Sequence, residues 1–173
     1  MTSLYDLTFP PTINILKTQQ GLLEKAEALA SEKGTPINEL LEIRLAPDMW
    51  PLSQQVIISA LHATNLVRKL AGGTPNEVPF GPASLENAKK YLSESIASLE
   101  TVKPEQVNGK EAEVITAHMG SFEMDMKTVD YVQGYALPNL FFHTTTLYNI
   151  LRSQGAPLGK RDFIGLHIKP AAK

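Results

Sequence analysis

Cysteine is absent from the 173 residues. That excludes disulfide stapling, thiolate metal centres and a cysteine nucleophile together, and leaves histidines and carboxylates as the only material for a transition-metal site. Charge of one sign is missing too. Lys and Arg number 16 against 18 Asp and Glu, a formal charge of −2, without the basic surplus that a phosphate backbone demands. No nucleic-acid partner is expected. No run approaches the roughly 18 apolar residues of a membrane span, and the opening MTSLYDLTFPPT lacks a basic segment followed by an apolar one. These absences predict a soluble, cytoplasmic protein with no membrane contact. Aromatic residues make up only 7% of the chain, and Trp50 is the single tryptophan. Without repeats or low-complexity linkers, residues 1–173 read as one domain, long enough to bury about two-thirds of the surface its unfolded chain exposes.

What is present is helical periodicity. Ile13, Leu16, Leu23, Ala26 and Ala30 recur at helical spacing, predicting a first helix over about 12–33 that Gly34 ends, with Pro10 and Pro11 at its entrance. Thr35 and Pro36 then read as the cap and first residue of a short helix. A second long helix is predicted over 51–71, with Leu52, Val56, Ala60, Ala63, Val67 and Leu70 on one stripe. Ser84 caps a third, to about Glu100. The period then changes: Phe122, Met124 and Met126 alternate with Glu123, Asp125 and Lys127, and a β-branched stretch precedes them, so MGS (119–121) reads as a hairpin turn over one end of the helices. A last long helix spans about 128–154, with a kink expected at Pro138 and a stop at Gly155. The tail APLGKRDFIGLHIK is too apolar to be left free and is expected to dock, with Lys160 or Arg161 paired to an acidic group.

Three strings, RLAPDMWPLSQQV (44–56), ALPNLFFHTTTLYNILRSQG (136–155) and LGKRDFIG (158–165), resemble the bacterial and fungal family called domain of unknown function nineteen-ninety-three, within the DinB-like superfamily. The resemblance runs from Leu4 to Gly165. It implies a mainly α fold: a DinB-like four-helix bundle with a short β-hairpin before the last helix and a docked C-terminal tail. Members of the wider group often hold a divalent metal on three histidines, one on the second helix and two spaced H-x-x-x-H on the last. Those positions fall near His62, on Asn139 and on His143, so an amide stands where one ligand should be. A divalent metal, if one is bound at all, is implied at His62 and His143.

The residues allow several readings. Ala136, Leu140, His143, Leu147 and Ile150 share one face of the last helix at 100° per residue. His143 therefore points into the bundle, as a core histidine bonded to Asn139 or a partner helix, as a catalytic acid or base in an inter-helix pocket, or as a metal ligand. His62 lies on the flank of its stripe and is expected to be partly exposed. Asn139, His62, Tyr148 and Tyr135 are the candidate ligand-binding neighbours of His143. Glu123 and Asp125 alternate with Lys127 as a solvated strand face does. The second helix is apolar nearly all round, through Ile57, Ile58 and Leu61, and the last turns Phe141 and Tyr148 away from its own core. That surface predicts cover by the terminal segments or a homodimer through these two helices. The function expected is binding, with or without transformation, of a small molecule around His143. The alternatives are a non-enzymatic dimeric bundle and a metal-dependent hydrolase or transferase with a degenerate histidine site.

Overall fold

The computed structural model describes residues 2–75 and 77–168. Helix α1 (Leu4–Lys33) begins two turns earlier than the apolar pattern suggests, and Pro10 and Pro11 lie inside it. The start is set by Ser3. Its hydroxyl accepts from the Asp6 amide at 3.2 Å while the Asp6 carboxylate accepts from the Ser3 amide at 3.1 Å, a capping box that satisfies two otherwise orphaned donors. Apolar periodicity carries no trace of such a polar exchange. Helix α1 ends at Gly34, whose φ of 63° is the left-handed conformation that glycine adopts without a Cβ penalty.

Thr35 does not cap the next helix. Its amide donates to the Ala30 carbonyl at 3.0 Å, closing α1, and Pro36 precedes α2 (Ile37–Leu41) without any side-chain cap. Helix α3 (Leu52–Leu66) runs on into one π turn, Val67–Ala71. Ser84 caps α4 (Leu85–Glu100), accepting from the Asn87 amide at 3.2 Å.

Around the bundle the order is α1, α4, α3 and the last helix, each touching its neighbours. Phe9, Leu16, Leu23, Val56, Leu92, Leu99 and Leu147 fill the centre with no exposed surface. Residues 51–60 are buried without exception. The outer side of α3 is covered by the loop before α4, where Val78 packs on Ile57 and Ala60 and is flanked by Leu61, Ala83 and Tyr91. An all-round apolar helix must be covered twice, and here the second cover comes from the same chain. On α3 that part of the reason for expecting a homodimer is met within one molecule, while Phe141 on the last helix stays exposed.

Strands β1 (Val114–Met119) and β2 (Phe122–Lys127) pair antiparallel, with Met119 opposite Phe122. Gly120, at φ 64°, takes the first place of the two-residue turn, where a side chain would be strained. The strand carboxylates are spent across the hairpin: Glu123 pairs with His118 at 2.8 Å, and Asp125 accepts from the Thr116 hydroxyl at 2.8 Å. Helix α5 (Thr128–Tyr131), a second π turn (Val132–Ala136) and α6 (Leu137–Ser153) form one continuous rod. Pro138 has no N–H to offer the Gly134 carbonyl, so the ladder widens before it, and the expected kink takes this form.

The tail docks as α7 (Lys160–Ile164) and a short 3₁₀ turn against α1. Phe163 meets Tyr148 edge-on at 6.0 Å, and His167 lies 6.0 Å from Phe141. Neither Lys160 nor Arg161 forms an ion pair among the described residues; Asp162 instead accepts from the Gly159 amide at 2.7 Å. No described helix is long and apolar enough to cross a membrane.

Candidate functional site

Helices α3 and α6 lie side by side, and each offers polar groups to the seam. Gln55, Ser59 and His62 are spaced four and three apart on α3, which places them on one face. His143 and Thr144 come from α6, and Gln19 reaches in from α1. His143 is 5% exposed, and its Nδ1 lies 2.7 Å from Gln55 Oε1. The Gln55 amide nitrogen donates to the Trp50 carbonyl at 2.8 Å, which fixes the amide's orientation and leaves Oε1 as the acceptor. Nδ1 of His143 therefore carries the proton and donates, and Nε2 keeps its lone pair. No hydrogen bond reaches that Nε2 among the described residues. Below this pair, Gln19 Nε2 donates to the Ser59 and Thr144 hydroxyls, both at 2.7 Å, and each hydroxyl donates to the carbonyl one turn earlier on its own helix.

Rings stack through the seam. Trp50 and His62 flank His143 with centroids 6.1 Å away on each side and planes within 26° of parallel. Phe142 meets His143 edge-on at 5.2 Å, and Tyr135 meets His62 edge-on at 5.5 Å. Burial pushes the His62 imidazole from its usual 6.5 down to about 4. His143 also falls to about 4, through burial first and the neighbouring His62 second. Both rings are neutral near pH 7. Nδ1 of His62 is buried without a hydrogen-bond partner, a state that ordinarily marks an absent water, ion or ligand.

The sequence-based candidates separate in this setting. His143 points inward as its helical face requires, and its partner is Gln55 on the neighbouring helix rather than Asn139. His62 is 9% exposed, not a boundary residue, because the rings of His143 and Tyr135 close over it. Tyr135 joins the cluster through that contact, and its hydroxyl donates to the His118 carbonyl at 3.2 Å. The Asn139 amide nitrogen is held by the Tyr135 carbonyl at 2.7 Å. Tyr148 lies five residues beyond His143, about 140° around the helix, and is occupied by Phe163 of the docked tail.

Sequence reasoning missed Gln55, Trp50 and Gln19. A signal for Gln55 was present, since SQQ opens a helix that is otherwise apolar on every side. Five cavities among the described residues are lined by neither His143 nor Asn139. The implied metal does not fit either. Two imidazoles fall one short of the three protein ligands of a catalytic zinc centre, Asn139 is engaged elsewhere, and no group of three or more histidine and carboxylate side chains converges among the described residues.

A four-helix bundle with a hairpin before its last helix is the architecture this chain shares with a DinB-like protein. The chain is similar in structure to a DinB family member protein from Shewanella denitrificans, with a TM-score of 0.83 and 28% sequence identity over 98% of this chain and 95% of that one. It belongs to the family described as domain of unknown function DUF1993, whose model matches residues 4–164. No curated protein matches it.

Proposed function

We propose that the protein binds a small, flat, mostly apolar molecule beside His143, with the Nε2 lone pair accepting a hydrogen bond from the ligand. The observation that carries this reading is the half-used imidazole. Its Nδ1 proton is committed to Gln55, its Nε2 is unclaimed, and two of the three rings flanking it are exposed apolar walls, Trp50 at 47% and Phe142 at 58%. Apolar surroundings with one oriented polar group are what ligand sites are built from. A base with a pKa near 4 holds a proton poorly at neutral pH, so binding is favoured over proton transfer as the task of His143. Lacking a third ligand, the metal-dependent alternative has no support from the donor set.

A structural role is the second reading, favoured by the same His143–Gln55 bond. The two separate on a pair of probes, phenol and toluene, followed by NMR shifts of the imidazole and Trp50 ring protons. Phenol is expected to bind about ten-fold tighter than toluene, the weight of one hydrogen bond, with the preference lost in His143→Leu. Equal binding of the two probes, or a phenol preference retained in the variant, would leave only the structural role.

A further inference from the structure

Beyond the histidine seam, the two π turns face one another across a cavity of about 140 Å³ lined by Asn65, Arg68, Lys69, His118, Tyr131 and Tyr135. Arg68 and Lys69 sit in the first π turn and Tyr135 in the second, and Tyr131 ends α5 immediately before that second turn. π-helical residues make up well under 1% of ordinary proteins and gather at functional sites; ten of the described residues adopt that conformation, and both segments wall one space.

The chemistry of the lining is one-sided. Every side chain in it can donate a hydrogen bond, and no carboxylate belongs to it. Tyr131 is 1% exposed; its hydroxyl makes no hydrogen bond to any described residue and keeps a small contact with solvent rather than being a fully buried unpaired atom. Arg68 forms no ion pair among the described residues, its one polar contact being Asn65 Oδ1 at 3.4 Å. The Lys69 ammonium donates to the Thr116 carbonyl. Its pKa is pushed down by burial and by Arg68, with Glu123 acting in the opposite direction. Glu123 itself is taken by His118, and Glu77 faces Arg68 only across a separate cavity that Arg68 also lines. Cations in the last turn of a helix are common because the helix dipole favours them. That explains their sign, and leaves their convergence with Tyr131 and Tyr135 on one cavity to be accounted for.

We propose that this cavity binds the carboxylate of a small organic acid, with Arg68 and Lys69 holding the charge, the Tyr131 hydroxyl donating to it, and a flat apolar body lying against the Tyr131 and Tyr135 rings, which pack on each other at 5.6 Å. A volume of about 140 Å³ admits an acid the size of benzoate and no large ligand. The inference does not need the His143 reading, since neither His143 nor His62 lines the cavity.

The test uses the full chain titrated with benzoate, benzyl alcohol and inorganic phosphate, by calorimetry and by NMR of the tyrosine rings. Benzoate is expected to bind saturably, shift Tyr131 and Tyr135 resonances, and bind at least ten-fold tighter than either benzyl alcohol or phosphate. Arg68→Gln is expected to weaken benzoate about ten-fold, as loss of one charged hydrogen bond does. Tyr131→Phe should weaken it several-fold at unchanged melting temperature, and His143→Leu should leave it unaltered. Benzoate that binds no better than benzyl alcohol, phosphate that binds as well as benzoate, or affinity indifferent to Arg68→Gln would each overturn the proposal. Dependence on His143 in place of Arg68 would move the acid to the histidine seam and overturn it as well.

Discussion

His143 shows how a single side chain can be placed from sequence while its chemistry stays hidden. Its helical face follows from 100° per residue, but its proton follows from Gln55, 88 residues away in sequence, and pairing across helices leaves no mark on local pattern. His62 shows the same gap in reverse. Its flank position is correct for an isolated helix, and burial comes from rings on α6 and the π turn before it. Both imidazoles titrate near 6.5 in the unfolded chain and near 4 in the folded one. Between those values the unfolded state binds more protons, so folding stability falls as pH drops through that window and levels off below it. The loss is expected to reach about 3 kcal/mol for each ring. Urea unfolding between pH 7 and pH 4 measures it; a flat profile would show the rings to be solvated, and His62→Phe should remove about half of the slope.

At the scale of the element, capping decides where the periodic pattern stops being informative. The apolar spacing located α1, α3, α4 and the last helix, yet it missed the first two turns of α1, because Ser3 and Asp6 exchange hydrogen bonds across a stretch with two prolines. Thr35 was misread for a related reason: its side chain suits a cap, while its amide already closes the preceding helix. The two residues therefore respond differently to the same change. Ser3→Ala is expected to cost about 1 kcal/mol and Thr35→Ala only a few tenths, as judged by urea midpoints at constant slope. Comparable losses at both positions would place a cap at Thr35 after all. The hairpin was legible from alternation, a β-branched stretch and a glycine turn, whereas neither π turn was, since widening by one residue needs no distinctive composition. Pro138 pointed only to the second.

For the whole molecule, the order of packing settles what the apolar helix needs. Ile57 and Ala60 sit under Val78, so a loop of the same chain shields this side of α3, and Phe163 packs on Tyr148 in the same way. The intact chain is expected to sediment as a single species independent of concentration. Val78→Asp should either cost about 3 kcal/mol or more as a buried unpaired charge, or lift the loop and produce concentration-dependent association. A variant as stable and as monomeric as the parent would show that the loop carries no weight. Sequence could state that cover was required and could not say from where, because the covering segment is a Pro- and Gly-rich stretch with one apolar residue that matters.

The π turn at Val132–Ala136 also sets a phase. Each residue of an α-helix advances its side chain by about 100°, so the widened turn acts as a gear between the hairpin-facing start of the rod and the bundle-facing remainder. Removing one residue there would keep the rod helical and swing everything beyond it by about a quarter of a revolution. The aliphatic stripe and His143 would then leave the core together, so the ring that meets Trp50 is held in place as much by a miscounted turn as by its own neighbours.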